Sequence, residues 1–214
     1  MANSNGAFGL RPSGKVGQNP ANGGMTEYRI AYNNTSPIYR GTPVIPLNTG
    51  LIDVGGAASG GTVGLLGAFW GCEFVSSVTG EKVYSPYWPG SGADSDFPVK
   101  AFIYDDPMQT FIIATSNVTA SFNTEAEVRA AVFANADFAL ATSGTTATGI
   151  STATLDLNTI GTTNTLNLRI MGFVDDPENS DFTAAGVGVL VRLNNHFNSP
   201  NGAAAGGTVS TTGI

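Results

Sequence analysis

The sequence predicts an all-β fold: an antiparallel β-barrel or sandwich with one short helix, an extended N-terminal arm over residues 1–24, a β-rich body over 25–197 and a low-complexity C-terminal tail over 198–214. Three observations predict it. Residues 62–106 hold three runs rich in aromatic and β-branched side chains, at 63–75, 82–88 and 99–104, separated by clusters of Gly, Ser, Pro and Asp, as successive antiparallel strands are. The other apolar runs are short as well, which gives about nine or ten strand candidates in all. Helical spacing with a start signal occurs once, at residues 124–135.

Residues 1–24 are rich in Gly, Asn and Pro and offer Phe8 and Leu10 as their main apolar anchors. Such a composition cannot pack by itself, and it suits an extended segment that adds its backbone to a sheet edge on another surface. The expectation is a docking arm carried by Phe8, Leu10, Arg11 and Lys15, whose deletion over 2–24 leaves a folded body. Residues 25–31 alternate as a half-buried strand does, and Asn33 to Pro37 form a turn. Residues 38–47 are apolar but contain Pro43 and Pro46, which point to an edge strand or a bulge. A turn at Asn48, Thr49 and Gly50 leads into 51–54, so the pair reads as a hairpin. After a Gly-rich loop at 55–61 comes the central stretch, then a strand candidate at 110–115.

In the helical segment Thr124 and Glu127 form a capping box. Glu125 and Glu127 sit at the positive helix end, and Val128, Ala131 and Val132 share a face, which suits a plug for an open barrel end. Residues 138–141, 154–157, 166–174 and 186–193 complete the strand candidates.

Charge and composition exclude several classes. Only 12% of residues are charged, about half the usual share, as suits a chain packed against other chains. The net charge of −7 argues against nucleic acid as a partner. Arg11 and Lys15 give the first 24 residues a positive sign, whereas all 16 acidic residues lie in the remainder. That asymmetry suits docking to an acidic protein. No leader pattern and no run of about 20 apolar residues is present, so synthesis in a cytoplasm without membrane insertion is expected.

Chemistry-bearing residues are sparse. Cys72 is the one cysteine, set in an apolar run as a small hydrophobe, and His196 is the one histidine. No catalytic residue and no cofactor is expected. Tyr104 to Pro107 and Val174 to Pro177 both place two aspartates before a proline, which favours a turn through side chain to backbone bonds. Asp175, Asp176, Glu178 and Asp181 also form a weak candidate for a hard cation, although the EF-hand pattern is absent. The aromatic segment with Tyr84, Tyr87 and Trp88 reads either as core and subunit interface or as a platform for glycan rings.

The start NGAFGLRP with Lys15 to Asn19, together with GTPVIPLNTG at 41–50, GAFWGC at 67–72, YSPYWPG at 84–90 and YDDP at 104–107, resembles virion structural proteins of tailed, marine podovirus-like bacteriophages. Within that group the chain looks like a capsid decoration, or cement, protein. The resemblance implies a β-rich, non-enzymatic protein on the outer surface of a phage head, assembled in the host cytoplasm. Its partners would be the major capsid protein at subunit junctions and itself, as a trimer or dimer, with the N-terminal arm as a staple. The reading from a different class is a receptor-binding adhesin on the virion, with the aromatic segment on a cell-surface glycan.

Overall fold

The structure is a computed structural model and describes residues 3, 6–17, 24–56, 64–116 and 122–199. Its strands, in chain order, are β1 (Arg11–Lys15), β2 (Thr26–Ile30), β3 (Pro43–Pro46), β4 (Ile52–Val54), β5 (Gly67–Val75), β6 (Lys82–Ser85), β7 (Val99–Tyr104) and β8 (Gln109–Ser116). After the helix α1 (Glu125–Ala130) come β9 (Asn135–Ala139), β10 (Gly144–Thr145), β11 (Ile150–Ser151), β12 (Thr154–Gly161), β13 (Leu168–Phe173) and β14 (Gly188–Leu193). The all-β class with one short helix is therefore observed.

These strands build two larger sheets, each with its own core. The first runs β2-β7-β5-β3-β4, with β6 also paired to β5, and buries Phe69, Trp88, Ile38, Val44 and Ile103. In the second, the order β8-β12-β9-β13-β14 closes on itself because β14 pairs β8, forming a barrel around Phe111, Ile113, Leu155, Leu168 and Val191. Closure removes the free edges that an open sheet would expose. Strands β7 and β8 are joined through Asp105 to Met108 and carry the chain from one sheet to the other.

Between the strands of the described residues antiparallel pairing is the rule with one exception. Strand β12 runs parallel to β8, Leu155 opposite Thr115. A parallel neighbour needs a long crossover, and α1, β9 and the small β10–β11 ladder lie in the connection that supplies it. Strand β3 also departs from expectation, since it pairs with both β4 and β5 and is not an edge. Its prolines stand at the two ends of a four-residue strand.

The N-terminal segment corrects the reading of residues 1–24 as a separate arm. Strand β1 pairs antiparallel with β8 of its own chain, Arg11 opposite Ile112, and Leu10 is fully buried in the barrel core. Lys15 forms an ion pair with Asp106. The physical reason is that β8 presents ladder positions beside β1, and Leu10 fits the core beneath them. A composition unable to build its own core can still complete another part of the same chain. Residues 18–23 lie outside the described residues, as do residues 200–214 of the expected C-terminal tail over 198–214.

Two glycines make that docking possible. The Leu10 N–H donates to the Gly41 carbonyl at 2.8 Å, and the two backbones cross with φ of 70° at Gly9 and 85° at Gly41. A Cβ built on Gly9 would lie 2.5 Å from the Gly41 oxygen, and one on Gly41 would lie 2.8 Å from the Phe8 oxygen. Only glycine meets both the dihedral and the spacing.

Helix α1 starts where the capping signal places it. The Thr124 side chain accepts the Glu127 N–H, and the Glu127 carboxylate accepts the Asn123 N–H at 2.6 Å. It is shorter than expected because the chain turns left-handed at Phe133 (φ 73°), whose N–H joins the Ile170 carbonyl and leads into β9. Val128 and Ala131 bury the inner side of this segment in the barrel core.

Candidate functional site

The residues expected to carry function separate into three fates. Trp88 is fully buried, packs edge-on to Phe74 at 5.4 Å between ring centroids and donates its indole N–H to the Asn34 carbonyl at 3.0 Å. Tyr87 stacks on Tyr39 with centroids 5.7 Å apart and planes 11° apart. Tyr84 alone of the three is strongly exposed, at 69%. The aromatic segment is thus core and turn, and the exposed platform that a glycan would need is reduced to one ring.

The acidic cluster is turn chemistry. Asp176 accepts the Glu178 N–H at 2.9 Å and caps a short 3-10 turn at Pro177–Asn179, and Asp181 accepts from Thr183 and Ala184. In the matching segment Asp106 accepts the Met108 N–H at 2.7 Å. Both aspartate-proline pairs therefore fold as the local side chain to backbone turn that their sequence favours. Among the described residues no group of three or more His, Cys, Asp and Glu side chains gathers as a cation site.

Cys72 and His196 are both buried, and neither bonds the other. The Cys72 thiol lies 3.4 Å from the Tyr87 carbonyl, and burial pushes its pKa up to about 12, which suppresses the thiolate. His196 lies 1% exposed, its backbone bridging Leu65 and its Nδ1 accepting the Asn198 N–H at 3.0 Å. Burial holds its pKa down at about 4, below the ordinary 6.5. The folded state therefore excludes a proton that the unfolded chain takes up below pH 6.5. Stability is fully present above that value and declines as pH falls toward 4. Urea titrations are expected to show about 2 kcal/mol lost between pH 6.5 and 5, at about 1.4 kcal/mol per pH unit. His196→Gln should flatten that slope, and an unchanged slope in the variant would contradict the assignment.

A different constellation emerges on the surface. Phe8, Leu10, Arg11, Arg40, Gly41, Trp70 and Ile150 line a cleft of about 250 Å³. Trp70 reaches it because β5 bulges there: Phe69 pairs Ile103 and Gly71 pairs Phe102, so Trp70 is the extra, unpaired residue. Bulges re-aim side chains in this way. Its ring meets Tyr104 edge-on at 5.3 Å and carries the Arg40 guanidinium 4.8 Å from its centroid. Neither Arg11 nor Arg40 enters an ion pair among the described residues, whose four ion pairs involve Lys15, Lys82, Lys100 and Arg129.

Sequence reading identified Phe8, Leu10 and Arg11 but missed Arg40, Trp70 and Ile150. Trp70 sits in an apolar run that reads as core, and a bulge leaves no mark in the alternation of a fully buried strand. Arg40 and Ile150 are brought together by a parallel bridge between segments far apart in the chain. Of the segments that carry the resemblance, those at 5–19, 41–50 and 67–72 supply lining residues, and the one at 104–107 supplies the ring behind Trp70. No family model, curated protein or solved structure matches this chain.

Proposed function

We propose that this chain is a virion structural protein, a capsid decoration protein that binds the outer surface of a phage head at junctions of major capsid proteins and stabilises it as a homo-oligomer. The sequence segments that resemble podovirus-like virion proteins support the phage assignment. The observation that carries a binding rather than a catalytic role is the cleft, in which Arg40 lies over the Trp70 ring and Arg11 joins the lining, neither with an ion-pair partner among the described residues, in a chain of net charge −7. Unneutralised cations beside apolar surface favour an acidic protein neighbour. A shell filled with packaged DNA is pushed outward, and contacts that span several subunits resist that load.

The staple differs from the one expected from sequence. The Leu10 side chain and the edge of β1 that pairs β8 belong to the chain's own barrel, so neither is available to a neighbour. Phe8, Arg11, Arg40 and Trp70 form the contact surface of the proposal in their place. The adhesin reading loses Trp88 to the core. Cryo-EM of a virion that carries this chain tests the proposal. Density on the outer capsid between capsid subunits is expected, and density confined to the tail or fibres would overturn it.

A further inference from the structure

Arg40 is held more firmly than a solvated surface arginine. Its backbone N–H donates to the Gly149 carbonyl and its carbonyl accepts the Ser151 N–H, both at 2.9 Å. Its Nε donates to the Trp70 carbonyl at 3.3 Å while the guanidinium lies over the Trp70 ring. These contacts use the backbone, the Nε and one face. The terminal nitrogens, which form the bidentate fork for a carboxylate, have no partner among the described residues. Because the side chain is already positioned, little rotamer entropy remains to be lost on binding.

The surroundings narrow the ligand. Phe8, Trp70 and Ile150 give the cleft apolar walls beside the Arg40 guanidinium and Arg11, and its volume of about 250 Å³ is below the roughly 300 Å³ from which small-molecule sites begin. That space suits one or two side chains. The adjoining cleft shares Phe8 and Arg11 and is also lined by Asp176 and Glu178, yet Arg11 forms no ion pair with either among the described residues. Two cations on an acidic chain are too few to hold a phosphate backbone.

We propose that this cleft docks an extended segment of a partner protein bearing Asp or Glu next to an aliphatic or aromatic residue. The carboxylate takes the fork of Arg40 with Arg11 beside it, and the apolar neighbour packs against Phe8, Trp70 and Ile150. Charge complementarity sets specificity, and the bulged Trp70 makes both halves of the site.

The test uses the full chain and a library of acetylated, amidated pentapeptides that place Asp or Glu beside Val, Leu or Phe, matched with Asn and Gln isosteres. The indole N–H signals of Trp70 and Trp88 are followed by NMR. Expected are saturable shifts of the Trp70 signal with acidic peptides, with affinity at least about tenfold weaker for the amide isosteres. Arg40→Gln should abolish the shifts while the Trp88 signal stays in place. Arg11→Gln at the exposed rim should weaken them and serves if Arg40→Gln moves the Trp88 signal. Equal shifts with isosteres, shifts reproduced by sodium acetate alone, or none up to millimolar peptide would each overturn the proposal. The outcome does not depend on virion position: an inert cleft on a chain found on the head rejects only the docking chemistry, and a peptide-binding cleft on a chain found on the tail rejects only the decoration role.

Discussion

Deletion of residues 2–24 is expected to abolish cooperative folding of the barrel rather than to release an intact body. The deletion removes β1 from β8 and withdraws Leu10, which is fully buried in a core with Phe111, Leu155 and Val191. Truncating a buried leucine to alanine costs about 2–5 kcal/mol. Losing the whole residue, the ladder and the cover over β8 costs more, against a typical total of about 5–15 kcal/mol. In the full chain, Leu10→Ala alone should lower Tm by about 10 °C. Differential scanning calorimetry and size-exclusion chromatography of the truncated chain check this. A truncated form with the parent Tm and elution volume would show that β1 is dispensable and would return it to the role of a separable arm.

The second large effect is expected at Trp88. Its ring is fully buried against Phe74, and its indole N–H satisfies the Asn34 carbonyl. Trp88→Ala should destabilise by about 3–5 kcal/mol through the cavity and the orphaned carbonyl. Trp88→Phe keeps most of the ring and should cost much less. Tyr84→Ala, at a site 69% exposed, should leave the unfolding midpoint unchanged. Chemical denaturation of the three variants separates a core tryptophan from a surface platform. A Trp88→Ala protein of normal stability with altered glycan binding would reinstate the adhesin reading.

Much of the fold was legible because it rests on local rules. Strand β7 occupies residues 99–104 as its run of aromatic and β-branched residues indicates, and α1 begins after Thr124 because its cap is a side chain to backbone bond between near neighbours. The turns at Asp106 and Asp176 follow from the reach of an aspartate to the N–H two residues on. What misled was composition applied to the first 24 residues: a Gly- and Asn-rich segment has no core of its own, yet β8 and the Gly41 crossing accept it. The Tyr84–Trp88 segment could not be assigned from its residue types, since aromatic rings serve a core and a platform equally well. Burial decided it.

The sequence by itself determined the all-β class, the helix start, the aspartate turns and the low-charge, acidic character of the chain, because each depends on residue identity and on neighbours a few positions apart. Tertiary structure alone decided that β1 closes onto β8, that Trp88 faces inward and Trp70 outward, and that Arg11, Arg40, Trp70 and Ile150 share one cleft. Those outcomes depend on strand register, on one extra residue in β5 and on contacts between segments 30 or more residues apart, for which a linear pattern holds no periodic signal.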